Sequence, residues 1–168
     1  MNRFAARKVR RSAERHPMHI EVDDLSREAV HALLAEHLAD MHATSPPDSV
    51  HALDLTGLAH PAVTVWTLWD QGLVLGCAAL KELCSTEGEI KSMRTSSTAR
   101  GRGVGTRLLS HVLDDARRRG YTRLNLETGV QDFFAPARRL YRRHGFVPCP
   151  PFGAYQADPN STYLTRAL

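Results

Sequence analysis

The order of hydrophobic periodicities along this 168-residue chain predicts a mixed α/β domain, a central sheet with helices on both faces. Three observations predict it. Val63–Trp69 and Leu73–Leu83 are strand-like runs joined by Asp70-Gln71-Gly72, a tight hairpin that requires antiparallel neighbours. A third run, Glu89–Thr95, feeds through Arg100-Gly101-Arg102-Gly103-Val104-Gly105 into an amphipathic helix and then a short strand, which suits a parallel crossover. Strand-like segments also lie near both ends of the chain, at His19–Val22 and Thr162–Thr165.

Each element has a local reason. His19–Val22 alternates, and Asp24 to Ser26 offers an N-cap for a helix carrying Val30, Leu33, Leu34, Leu38 and Met41. Ser45-Pro46-Pro47-Asp48-Ser49 breaks it, and a second helix is expected from about Ser49, carrying Val50, Leu53, Leu55 and Leu58 and ending at His60-Pro61. The helix after the glycine turn buries a stripe of Val104, Leu108, Leu109, Val112, Leu113 and Ala116 and stops at Gly120. Leu124–Glu127 reads as a strand. A helix over Phe133–His144, with Pro136 in its first turn and Gly145 at its end, precedes strands at Phe146–Pro148 and Thr162–Thr165.

Composition narrows the function. Hydrophobic residues at 42% and charged residues at 24% are ordinary for one globular domain, assigned here to residues 17–168. The net charge of +4 is a local matter. Arg3, Arg7, Lys8, Arg10, Arg11 and Arg15 face only Glu14 in residues 1–16, read as a basic disordered leader or an early start codon. The body is then slightly acidic, which argues against a nucleic-acid surface. No apolar run is long enough for a membrane span, and nothing resembles an export signal, so a cytoplasmic location is expected. Three cysteines without ligand spacing, and His37 and His42 five apart on a helix, predict free thiols and no metal.

The glycine turn carries the chemistry. Closely spaced glycines let backbone N–H groups crowd around an anion, and the following helix adds the positive end of its dipole. Two flanking arginines are further phosphate donors. A dinucleotide fingerprint fails because its third glycine position is Thr106, and a triphosphate loop fails because no lysine follows Gly105. What fits is R-x-x-G-x-G, met by Arg100, Gly103 and Gly105.

About forty residues later stands Ala137-Arg138-Arg139-Leu140-Tyr141-Arg142-Arg143-His144-Gly145-Phe146. The two motifs in this order, with this succession of elements from about His19 onward, resemble the GNAT N-acetyltransferase superfamily. The resemblance implies a mostly antiparallel sheet of six to seven strands with a V-shaped splay, flanked by about four helices. It implies acetyl-CoA as co-substrate, with Met93, Arg94 and Thr95 offering backbone groups to the pantetheine arm. Arg100, Gly101, Arg102, Gly103, Val104, Gly105 and Thr106 would hold the pyrophosphate. Many members place an asparagine three residues before the alanine of the second motif; this chain has Phe134.

Acetyl transfer to an amine needs a base, an oxyanion donor and an acid for the leaving thiolate. The resemblance assigns the acid to Tyr141 and the oxyanion to a backbone N–H near Met93. A phenol near pKa ~10 protonates a thiolate whose thiol lies near ~8.5 only under enforced geometry. Glu89 is the first candidate base, since strand alternation sets it on the face of Lys91 and Met93, and Lys91 would keep it ionised. Glu127, with Thr128 beside it, is the alternative base or an anchor for the substrate amine. The histidines at 31, 37, 42, 51 and 60 fall where the family builds its acceptor wall, and Pro150–Tyr155 with Asp158–Ser161 forms either a loop over the acceptor pocket or a simple turn. The expected reaction is direct transfer, in a ternary complex, to the primary amine of a small molecule. A protein lysine or N-terminus, and a non-catalytic acetyl-CoA sensor, are the alternatives; a homodimer through the terminal strands is compatible with both.

Overall fold

Seven strands form a single sheet in the order β1-β2-β3-β4-β5-β7-β6. The computed structural model describes residues 17–168, so the basic leader lies outside the described residues. The strands are β1 (His19–Val22), β2 (Val63–Asp70), β3 (Leu73–Cys84), β4 (Glu87–Thr95), β5 (Arg123–Gly129), β6 (Val147–Pro148) and β7 (Ser161–Ala167). The helices are α1 (Glu28–Thr44), α2 (Leu55–Leu58), α3 (Val104–Arg118) and α4 (Ala135–Arg143). Among the described residues only β4 and β5 run parallel, joined by α3 as the crossover; every other pairing there is antiparallel. The β2–β3 hairpin turns on Gln71 (φ 50°) and Gly72 (φ 79°), both left-handed as a two-residue turn of matching twist requires.

Helices cover both faces. All six residues of the α3 stripe are buried, against Trp66, Leu68, Leu80, Ile90, Leu124 and Leu126. On the other face, Val30, Leu33 and Leu34 of α1 and Leu58 of α2 pack on Val65, Trp69, Cys77 and Ala79. Gly76 lets α3 seat closely: a Cβ there would lie 2.6 Å from the Arg94 carbonyl and 2.8 Å from Val104 Cγ1.

Three local expectations are corrected. The second helix is a single turn, because the Asp54 carboxylate accepts from the Gly57 N–H and starts the helix there; Val50 and Leu53 are outside it. Asp24 does not cap α1: its carboxylate closes a turn on the Ser26 N–H, and the capping position falls to Arg27 without a side-chain bond. Alternation also breaks within β4. Cys77 pairs with Arg94 and Ala79 with Lys91, so Ser92 and Met93 together oppose Ala78, and Ser92 takes φ 48°. This bulge inverts the pattern. Glu89, Lys91 and Arg94 face the α1 side, while Met93 packs with Ile90 on the α3 side. Met93 therefore does not share a face with Glu89.

Candidate active site

The parallel pairing of β4 with β5 is short. Glu87–Ile90 align with Arg123–Leu126, and the strands then separate. Every residue of β4 after Glu89 and of β5 after Leu126 lines a cleft of about 580 Å³ in the gap. Unpaired strand edges leave backbone donors and acceptors free for a ligand. This is the splay that the resemblance implied.

The glycine turn closes one end of the cleft. Gly101 and Gly103 both take φ 77°, and a Cβ on either meets nothing within 4 Å, so the space in front of the turn is open. Gly103 is the residue before α3, which has no side-chain cap. The N–H groups of Val104, Gly105 and Thr106 lack intrahelical acceptors by helix geometry, and all three residues line the cleft. Gly105 sits tightly against α4: a Cβ there would lie 3.2 Å from Leu140 Cδ2, which would have to shift by a few tenths of an ångström. Together with Arg100 on the wall, this cradle fits a diphosphate.

The other residues singled out in the sequence divide. Met93, Thr95, Glu127, Thr128 and Tyr141 all line the cleft. Arg94 lines it too, but its guanidinium turns to α1, 2.7 Å from Asp40 Oδ2 and 2.7 Å from Glu36 Oε1, and so pins that helix against the bulge. Arg102 points away, 2.7 Å from Asp70 Oδ2 at the β2–β3 hairpin. Phe134, in place of the frequent asparagine, is buried on the cleft wall, edge-on to Phe133.

Tyr141 is buried and packs edge-on to Phe146. Burial first, and then the charge of Glu127, raise its pKa well above the usual phenol value, so it stays protonated. Glu127 accepts a hydrogen bond from Ser161 Oγ at 2.7 Å. Burial is the main influence on it and raises its pKa, against the lowering effects of Ser161, His51 and Lys91.

Glu89 sits elsewhere. It lines an adjoining cavity of about 610 Å³ with Lys81, Lys91, Phe152, Tyr155 and Asp158. Its Oε1 accepts from Tyr155 Oη at 2.5 Å and from Lys91 Nζ at 3.0 Å, and Lys91 also donates to Tyr155 at 2.7 Å. The segment between β6 and β7 is thus a loop over this pocket, clasped to the loop before α2 by Asn160 Nδ2 donating to Ser49 Oγ at 3.2 Å. Sequence reasoning paired Glu89 with Lys91 but missed Tyr155 as the third member of the contact, more than sixty residues away from both. Among the described residues no cluster suits a metal ion, and no helix is long and apolar enough to cross a membrane.

A splayed α/β sheet with a diphosphate cradle in the splay defines a class of acyl-CoA-dependent transferases, and the comparisons agree. The acetyltransferase (GNAT) family pattern matches residues 27–146. The chain is 48% identical over 151 residues to the uncharacterized N-acetyltransferase YsnE of Bacillus subtilis, covering 90% of this chain and 100% of that one. It is 40% identical over 138 residues to the IAA acetyltransferase of Azospirillum brasilense, covering 80% and 86%. A crystal structure of a putative acyl-CoA N-acyltransferase from Klebsiella pneumoniae superposes with TM-score 0.77 at 28% identity, covering 90% and 98%. A GNAT acetyltransferase from Elizabethkingia anophelis with acetyl-CoA bound shares the fold, with TM-score 0.64 at 17% identity over 91% and 99%. The chain belongs to the GNAT family and is an N-acetyltransferase, with acetyl-CoA as its co-substrate.

Proposed function

We propose that the protein transfers an acetyl group from acetyl-CoA to the primary amine of a small, charged acceptor in the cytoplasm, by direct attack in a ternary complex. One observation carries this reading. The cleft and the adjoining cavity share the wall residues Ser49, His51 and Lys91, so a thioester from one side and an amine from the other meet there. In the cleft, the glycine turn and Arg100 would hold the diphosphate, and the free edge of β4 at Met93, Arg94 and Thr95 would align the arm and offer the oxyanion donor.

Tyr141 supplies the proton for the departing sulfur. Its raised pKa makes it a poor acid in the resting enzyme, so it acts as a fixed hydrogen-bond donor that yields its proton only as negative charge develops on sulfur. Glu127 and Thr128, on the opposite lip of the splay, anchor the incoming ammonium. Glu89 is committed to Lys91 and Tyr155, and so shapes the acceptor cavity.

Direct attack is favoured by the state of the thiols. Cys77 is fully buried, donates to the Ser92 carbonyl at 3.3 Å, and is pushed up to about 12 by burial. Neither Cys84 nor Cys149 lines the cleft or the cavity. A small acceptor is favoured over a protein chain by the 152–159 loop lying over the cavity, and the Azospirillum relative is itself named for IAA. The test is thiol release from acetyl-CoA against a panel of amines. Tyr141→Phe should lower kcat by about 10²–10⁴-fold with acetyl-CoA affinity retained. Tight acetyl-CoA binding with no release for any amine would make the protein a sensor instead.

A further inference from the structure

We propose that His51 is the group that deprotonates the acceptor amine, with Asp158 holding the imidazolium that forms. The inference rests on the reading above, in which amine and thioester meet where the two cavities join.

Among the described residues, Ser49, His51 and Lys91 line both spaces. Ser49 Oγ is engaged by Asn160, and an aliphatic hydroxyl takes up no proton near neutral pH. Lys91 Nζ is already spent as a donor to Glu89 and Tyr155. Imidazole is the side chain that changes charge between pH 5 and 8. His51 is therefore the member of the three able to accept a proton there.

Its surroundings fit that task. His51 Nε2 is buried and makes no hydrogen bond among the described residues. It lies 3.7 Å from Asp158 Oδ2, too long for a hydrogen bond but short enough for an ion pair once the ring is charged. Tyr155 steadies the ring edge-on at 5.1 Å between centroids. Asp158 stays a carboxylate, since the Asn160 N–H first, and then the Ser49 hydroxyl, hold it below the usual range. Tyr155 and Asp158 from the β6–β7 loop and Glu127 from β5 lie near the imidazole, and Asp48, Lys81, Glu89 and Lys91 line the cavity that His51 borders. Glu127, by contrast, lines the cleft alone, and a carboxylate that anchors an ammonium keeps the proton on nitrogen.

The protons balance. The ammonium sheds two on its way to a secondary amide. One goes to His51 Nδ1, since Nε2 is buried against Asp158 while the side chain as a whole is 28% exposed, and this frees the lone pair that forms the new N–C bond. As the C–S bond breaks, Tyr141 gives its hydroxyl proton to sulfur, and the second proton from nitrogen restores the phenol. His51 then releases its proton to solvent, so one proton appears per turnover.

The test uses the full chain and an acceptor found by the thiol-release panel. His51→Asn should lower kcat/KM about 100-fold and remove the acid limb of its pH profile, with acetyl-CoA affinity within twofold of wild type. In His51→Ala, added imidazole should restore activity at least tenfold, whereas Tyr141→Phe should gain nothing from it. A loss below threefold overturns the assignment. So does a loss that imidazole does not restore with the limb still in place, which marks a structural residue. So does a limb that disappears in Glu127→Gln and persists in His51→Asn. A wild type that releases no thiol with any amine sinks the functional reading itself, a separate result.

Discussion

The two cavities that meet at His51 are built from opposite materials. The cleft between β4 and β5 is made from main chain: a glycine turn, the first turn of α3 and two unpaired strand edges. The adjoining cavity is made from side chains: Glu89, Lys91 and Tyr155 in one hydrogen-bonded set, with Lys81, Asp158 and Phe152 around it. Backbone donors in fixed array suit a ligand that never changes, because they bind phosphate without depending on side-chain identity. Charged side chains set partner choice, because mismatched buried polar groups are costly. Acetyl-CoA is common to the family, whereas acceptors differ, and the division of material follows that division of labour.

The contrast is broken most severely at the turn. Arg100 lines the cleft, whereas Arg102 is turned to Asp70 on an exposed ion pair. A hydrogen bond to a charged group is worth about 1.5–3 kcal/mol, so Arg100→Ala should weaken acetyl-CoA binding by roughly 10- to 100-fold in calorimetry. Arg102→Ala should change it less than about threefold, since exposed pairs contribute about 0–1 kcal/mol. Equal losses at the two arginines would mean that the turn grips by general positive charge and not by position.

A smaller effect is expected across the junction. Tyr155→Phe removes the hydroxyl shared by Glu89 and Lys91, leaving the buried carboxylate with one partner. The acceptor KM should rise by about tenfold, with acetyl-CoA affinity within twofold. Should acetyl-CoA binding weaken in parallel, the two cavities are one energetic unit and the division above fails.

The same contrast explains what the sequence could say. The cradle is local: Arg100, Gly103 and Gly105 stand within six residues, and left-handed φ at Gly101 and Gly103 is a demand that residue type announces. The α3 stripe was legible for the same reason, each position being set by helical period. The acceptor side was not, because Glu89, His51 and Tyr155 come together only through sheet order and a clasped loop. His51 carried no signal beyond being one of several early histidines. The bulge at Ser92 was hidden for a different reason: serine in a left-handed conformation has no compositional mark, yet it decides which way Met93 and Arg94 point.

The smallest expected effect concerns the α1 wall of the main-chain cavity. His37 lines the cleft, is buried, and is lowered to about 4, by burial first and then by the Arg94 cation held between Asp40 and Glu36. In the unfolded chain its value returns to 6.5. Between those values the unfolded state binds the extra proton, so stability is full above about 6.5 and falls as pH drops toward about 4. The loss should reach about 1 kcal/mol by pH 6. Thermal melts of wild type and His37→Gln from pH 7.5 to 5 would check this: the variant should lose less stability over that range. Parallel slopes would assign the acid sensitivity to a group other than His37.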